Sequence, residues 1–199
     1  MSHCLKRLSV TPVIAVAIAL GTAGTAVALD ITGTDGHDRI IGSRGADTIV
    51  AKGGPDVVRA LAGADVIDLG AGDDRANAGP GDDIVDAGAG FDRVRGRAGN
   101  DTIDGGDGFD VLHGGRGSDT IHGGAGNDRI TALARDGKSD TVDGGPGDDR
   151  ILVRDGTRDV VSCGAGFDRV RADFADDVAA DCERVVRRTA RATEVLPAE

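Results

Sequence analysis

The chain has 199 residues, a length that ordinarily builds one domain around a single large core. It contains 33 Gly, four Phe, and neither Trp nor Tyr, which excludes a core filled by large aromatic side chains. The acidic residues are 31 Asp and three Glu, and the formal net charge is −11. This balance favours a cation as partner and argues against nucleic acid, whose phosphates require Lys and Arg.

The first 28 residues have the pattern of a signal peptide. Lys6 and Arg7 precede an apolar run at 13–20, and Ala-Val-Ala at 26–28 forms an A-x-A cleavage pattern. We therefore expect cleavage after Ala28 and export by the general secretory route, which leaves a secreted mature chain without a membrane span. The alternative is that the uncharged stretch is retained as an anchor, although its Gly and Thr residues make it weakly apolar for a span.

Residues 33–131 divide into eleven consecutive nonapeptides without insertion or deletion. Position four is Gly and position six is Asp in all eleven, while position eight is Ile, Val or Leu in ten, with Ala76 the exception. The glycines predict a tight turn over positions one to six. Positions seven to nine, as in Thr120-Ile121-His122, fit a short strand whose middle residue points inward. Repetition of turn and strand without hairpin signals predicts a solenoid of parallel strands.

The repeat buries little apolar surface, and the free energy gained by that burial is small compared with the backbone entropy that its glycines lose on folding. It would also stack its aspartates about 4.8 Å apart, where like charges repel unless a cation lies between them. Carboxylate and carbonyl oxygens select calcium rather than magnesium or a soft metal. An EF-hand is excluded because no Glu occurs before Glu183. The alternative is that the aspartates serve only as hydrogen-bond acceptors in turns.

The nonapeptide G-G-x-G-x-D-x-U-x, in which U is a large aliphatic residue, resembles the RTX calcium-binding repeat of haemolysin-type toxins and serralysin-like proteases. The resemblance implies an all-β fold, a right-handed parallel β-roll of about 18 residues per coil, with multiple Ca2+ ions bound between successive turns. It implies that position-six aspartates bind as pairs eighteen apart, such as Asp38 with Asp56, giving at most nine pairs in the regular block. Backbone carbonyls of the turns would complete the sites.

The resemblance is weakest where Ala51-Lys52 and Ala60-Leu61 replace the leading glycines. We expect the turns that contain them to be the weakest sites. The metal ligands that the resemblance implies over the whole chain are Asp38, Asp47, Asp56, Asp65, Asp74, Asp83, Asp92, Asp101, Asp110, Asp119, Asp128, Asp140, Asp149, Asp159 and Asp168.

After residue 131 the repeat becomes irregular. An insertion interrupts its register, a full copy returns at 144–152, and the last copy is at 163–171. Glycines then disappear over 173–186, which predicts a cap over the open end of the solenoid. The predicted organisation is a signal peptide at 1–28, a regular β-roll at 29–131, irregular repeats with a disulfide-linked cap at 132–186, and a flexible tail at 187–199.

Two cysteines, Cys163 and Cys182, remain after removal of the signal peptide. An even number in an exported chain predicts a disulfide, which would join the cap to the final coil. A free thiol pair and a metal site are the alternatives, but neither His nor further Cys lies nearby in the sequence.

Nothing in the sequence predicts catalysis. His37, His113 and His122 occupy variable repeat positions, and neither H-E-x-x-H nor G-x-S-x-G occurs. We therefore expect a secreted calcium-ion-binding repeat protein, not an enzyme, that folds when it binds Ca2+. The alternative function is cell-surface or extracellular-matrix interaction or adhesion, with an unidentified extracellular partner and calcium as a purely structural ion.

Overall fold

The fold is that of a computed structural model, which describes residues 27–133 and 136–188. Residues 1–26 of the predicted signal peptide (1–28) and 189–199 of the predicted tail (187–199) lie outside the described residues, whereas Arg187 belongs to the last strand. The described part contains no helix, and all its strand pairings are parallel. It therefore contains no helix long and apolar enough to cross a membrane.

Two nine-stranded sheets, each recruiting one strand from every coil, make up the fold. In spatial order the first sheet contains β1 (Asp30–Thr32), β3 (Thr48–Val50), β5 (Val66–Asp68), β7 (Ile84–Asp86), β10 (Thr102–Asp104), β13 (Thr120–His122), β15 (Thr141–Asp143), β17 (Val160–Ser162) and β19 (Asp177–Val178). The second sheet contains β2 (Arg39–Ile41), β4 (Val57–Arg59), β6 (Arg75–Pro80), β9 (Arg93–Ala98), β12 (Val111–Arg116), β14 (Arg129–Thr131), β16 (Arg150–Leu152), β18 (Arg169–Ala172) and β20 (Arg184–Arg187). A short pair, β8 (Ala89–Gly90) with β11 (Asp107–Gly108), forms inside the turns.

The register of the pairings follows the repeat. Thr102 lies beside Thr120, eighteen residues on, whereas the insertion stretches the next step to Thr141. The predicted parallel β-roll is thus confirmed, as a solenoid of about nine turns spaced roughly 18 residues apart. Three strands, β6, β9 and β12, run past position nine into the segment that the glycines predicted to be turn.

Side chains alternate inward and outward beyond the three-residue strands. Position eight is buried, as predicted, with Ile40 and Ile121 fully inaccessible. The prediction of one inward apolar residue per nonapeptide was incomplete, because position one is also buried, as at Ala60 and Leu69. Extended backbone places every second residue on the same face, so positions six, eight and one all point inward. The same alternation therefore carries the position-six aspartate into the interior.

The turns tolerate some departures from glycine. Lys52 and Leu61 have φ values of 81° and 87°, matching the 87° of Gly70 at the equivalent position two. Residues with a side chain thus complete the same turn at this position, at the cost of left-handed strain.

The predicted disulfide between Cys163 and Cys182 is present, with Cα atoms 5.2 Å apart and a sequence separation of 19 residues. Both cysteines are buried against the core, and β19 and β20 continue the two sheets across the end of the roll. The bond joins the last regular coil to the glycine-free segment.

Replacing both cysteines with Ala is expected to lower the free energy of unfolding by about 3 kcal/mol, because the unfolded chain regains loop entropy. Denaturant unfolding of the calcium-loaded protein measures this. Wild type in reductant should match the variant. Identical unfolding of wild type with and without reductant would show that the bond contributes nothing.

Candidate metal centre

The fifteen predicted ligand aspartates form two buried columns. Each aspartate immediately precedes a strand, so that Asp38 enters β2 and Asp47 enters β3, and members alternate between the two edges of the roll. All fifteen are at most 1 % exposed. Carboxyl groups buried to this extent require partners, because desolvation of a charge is costly.

In fourteen of the fifteen carboxylates one oxygen joins two coils; in Asp38 the hydrogen-bonded oxygen accepts from Thr34 in the same turn. Asp56 Oδ1 accepts a hydrogen bond from the backbone N–H of Asp38 at 2.7 Å, and Asp74 Oδ1 accepts one from Asp56 at 2.6 Å. The same contact recurs eighteen residues apart through the regular block and continues across the insertion, where Asp119 donates to Asp140. The aspartates are therefore structural acceptors with one oxygen, as the alternative from the sequence proposed.

The second oxygen of these carboxylates is not a hydrogen-bond acceptor in most cases. Among the described residues, Oδ2 is buried without a hydrogen-bond partner in thirteen of the fifteen aspartates, and Oδ1 is so placed in Asp38. The exception is Asp47, whose carboxylate accepts bonds from Leu29 and Ser43. Native structures rarely leave buried acceptors unpaired, and fourteen in columns point to a missing cationic partner.

Backbone carbonyls face the same space. A Cβ built on Gly105 would lie 2.8 Å from the unpartnered Asp110 Oδ2 and even closer to the Gly123 carbonyl oxygen, which belongs to the next coil. At Gly144 the corresponding distances are 2.5 Å to Asp149 Oδ2 and 2.7 Å to the Cys163 carbonyl oxygen. Carboxylate and carbonyl oxygens are the hard donors that calcium prefers, so the residues present fit this ion.

Burial raises the pKa of most of these carboxyl groups. Loss of hydration is the largest cause, hydrogen bonds from the preceding coil oppose it, and neighbouring aspartates add to it. The pKa rises to about 7 for Asp74, Asp83, Asp101, Asp110, Asp140, Asp149 and Asp159, and to about 6 for Asp92 and Asp128.

These shifts predict the response of the metal-free chain to pH. The unfolded aspartates titrate near pH 3.9, so between about pH 4 and pH 7 the folded state holds more protons and its stability falls as pH rises. We expect more β-structure at pH 5 than at pH 8 in chelator, and a higher calcium midpoint at pH 5 because protons compete. Far-UV circular dichroism measures both. A chelated chain that gains structure toward alkaline pH would contradict this.

The structure adds acidic residues that the sequence analysis missed. Asp155, Asp140 and Asp159 are buried with carboxylate oxygens within 4.8 Å of one another. Asp176 continues that column, because its Oδ1 accepts a hydrogen bond from Asp159 N–H at 3.2 Å. Glu183 ends the other column by accepting from Asp168 at 2.8 Å. Spacings of 17 and 15 residues, instead of 18, concealed the last two from a strict nonapeptide search.

The three histidines of the repeats make separate contacts. A ring nitrogen of His37 contacts the Pro55 carbonyl, and His122 lies 3.9 Å from Asp143. Burial, followed by the charges of Arg95 and Arg129, lowers the pKa of His113. None of these contacts resembles a catalytic pair.

Fold and site together define a repeat protein that holds cations between stacked Gly/Asp turns. The chain belongs to the RTX calcium-binding nonapeptide repeat family, whose four-copy model matches it over most of its length. The matched segments are residues 30–58, 41–76, 51–85, 77–112, 104–134 and 136–160. Membership in this family implies that the repeats bind Ca2+. None of the curated proteins compared with the chain matches it.

Proposed function

We propose that this chain is a secreted, non-enzymatic protein that folds when calcium binds between successive coils. The observation that carries the proposal is the set of fourteen buried carboxylate oxygens without a hydrogen-bond partner in the described residues. Without a cation, columns of buried carboxylates oppose folding through desolvation and mutual repulsion. Bound calcium would supply the positive charge that lets both columns remain ionised inside the roll.

The oxygen atoms of each proposed site have different roles. In each proposed site, one carboxylate oxygen keeps its hydrogen bond to the preceding coil, as between Asp83 and Asp101 at 3.0 Å. The other oxygen faces the space beside position one, together with a backbone carbonyl. Because each site draws on more than one coil, binding would stabilise folded chain in preference to unfolded chain.

Secretion is supported by several features. RTX repeat proteins are typically secreted, and the disulfide suits an oxidising compartment. Leu29, directly after the predicted cleavage position, already belongs to the roll, because its N–H donates to Asp47 Oδ1 at 2.8 Å, although the Val27 carbonyl before that position also accepts from Ser43. N-terminal sequencing of protein recovered outside cells that express the full chain tests this. A sequence beginning at Leu29 is expected, and a retained N-terminus on cell-bound protein would overturn it.

An extracellular interaction role, with calcium as a structural ion, is the second candidate. It is favoured by the segregation of charge between the two outer faces of the roll, since arginines occur in the strands of the second sheet and aspartates in those of the first. A saturable partner that requires the folded roll would support it.

A further inference from the structure

The two sheets present opposite charges to solvent. The nine strands of the second sheet contain thirteen Arg and neither Asp nor Glu. The nine strands of the first contain six Asp and neither Arg nor Lys. The overall net charge of −11 conceals this separation.

Arginines on the second sheet form rows along the roll. Arg129, Arg150, Arg169 and Arg184 are consecutive partners in register, and all four are exposed. We call these four the arginine face. Like charges at strand spacing, about 4.8 Å, are destabilising when nothing lies opposite them. Among the described residues, none of the four forms an ion pair.

The first sheet carries a matching row of aspartates. Asp68, Asp86 and Asp104 are consecutive partners in register and are exposed. We call these three the aspartate face. Val66 in β5 and Ile84 in β7 are also exposed, and they lie on the same outer surface as the aspartate face. Partial burial, followed by the charges of Asp104 and Asp68, raises the pKa of Asp86.

Cation binding in the interior changes the net charge of the chain and therefore the electrostatic repulsion between copies of it. The chain from residue 29 lacks Lys6 and Arg7 and has a formal charge of −13, so neutralising the fifteen buried repeat aspartates leaves +2. The folded, calcium-loaded chain is therefore much closer to neutral than the free chain. Low net charge removes the repulsion that keeps copies apart, and it leaves the two outer faces as the dominant surface charges.

We propose that copies of this chain associate face to face, with the aspartate face of one packed on the arginine face of another. Both rows have the same strand spacing, so successive guanidinium groups of one copy lie opposite successive carboxylates of the other. A different polyanion would match the arginine face only if its own charges were spaced at that distance. Guanidinium–carboxylate pairs in a row also form a network, which is worth more than isolated surface pairs.

The contact uses different surfaces on the two partners, so it is heterologous. A bound pair leaves one arginine face and one aspartate face free, and association can continue into stacks. The inference rests on the proposed function in one respect, because the faces exist only in the folded roll. It adds a partner that calcium binding alone does not imply, namely a second copy of this chain.

Two double variants test the pairing by sedimentation velocity of the chain from residue 29 in calcium. Asp86→Asn with Asp104→Asn removes charge from one face, and Arg150→Gln with Arg169→Gln removes it from the other. Wild type should form dimers and larger species that disappear in high salt. Each variant alone should remain monomeric, and an equimolar mixture should recover dimers only, since each variant keeps one intact face.

Matched controls carry the same charge changes in exposed residues away from the two faces, at Asp35 with Asp107 and at Arg44 with Lys138. These should associate like wild type. Circular dichroism of the same samples separates the two proposals. A chain that is β-rich in calcium but monomeric at all concentrations would overturn the association alone. A chain that is disordered in calcium would overturn folding and association together. A β-rich monomer that binds dextran sulfate through Arg150 and Arg169 would replace the second copy with an acidic polymer.

Discussion

Replacing Asp101 and Asp119 with Asn is expected to stabilise the metal-free chain and to weaken its response to calcium. The Asn Oδ1 can keep the hydrogen bond from the preceding coil, such as the 3.0 Å bond from Asp101 N–H to residue 119. At position 101, the amide nitrogen replaces an unpartnered Oδ2 and can donate to the Gly114 carbonyl, which faces the same space. Each buried acceptor so relieved is worth about 1–3 kcal/mol.

The measurement is the β-structure that each chain retains in chelator between pH 5 and pH 8, by far-UV circular dichroism, together with a calcium titration. Asp82→Asn is the matched control, because Asp82 is exposed and its Oδ1 accepts from Asn100 at 2.7 Å, a contact that Asn retains. It should change neither quantity appreciably. If the double variant were less stable than wild type in chelator and bound calcium equally well, the unpartnered oxygens would not be ligands.

Replacing Gly126 with Ala is expected to have the largest effect on folding, more than about 4 kcal/mol. Gly126 has φ of 140°, and a Cβ there would overlap the Gly108 carbonyl oxygen of the preceding coil. The clash forces these two coils apart and breaks the 2.7 Å bond from Gly108 N–H to the Ala125 carbonyl oxygen, which joins them. The amplitude of the calcium-induced β spectrum and the thermal midpoint should both fall.

Gly137→Ala is the control for backbone strain alone. Gly137 has φ of 77°, but a Cβ there meets no atom within 4 Å. The cost should be limited to the strain of a left-handed residue, about 1–3 kcal/mol. Equal losses from the two substitutions would mean that the stacking distance between coils does not limit the turn.

The sequence predicted the parts of the fold that follow from its nine-residue period. Invariant Gly and Asp, with an aliphatic residue two positions after the Asp, were enough to place strands such as Thr120–His122 and to bury Ile121. The second inward position escaped because position one was assigned to the turn. Its burial at Leu69 follows from an alternation that continues past the strand.

The rest depends on three-dimensional neighbours. Asp155 joins Asp140 and Asp159 only through the path of an irregular turn, and Glu183 takes an aspartate's place fifteen residues after Asp168. Charge segregation was hidden because odd and even repeats feed different sheets, so their arginines and aspartates average out along the chain. The disulfide was predicted from parity alone, and the structure supplies its place across the last coil.

The central claim is that calcium binding and folding are one process, and a calcium titration of residues 29–199 followed by far-UV circular dichroism tests it most directly. Magnesium at equal concentration is the control, because its octahedral, water-retaining coordination suits these turns poorly. The account predicts a disordered chain in chelator at pH 8 and a cooperative, calcium-specific transition to β-structure. A chain with the full β spectrum in chelator at pH 8, unchanged by calcium, would contradict it.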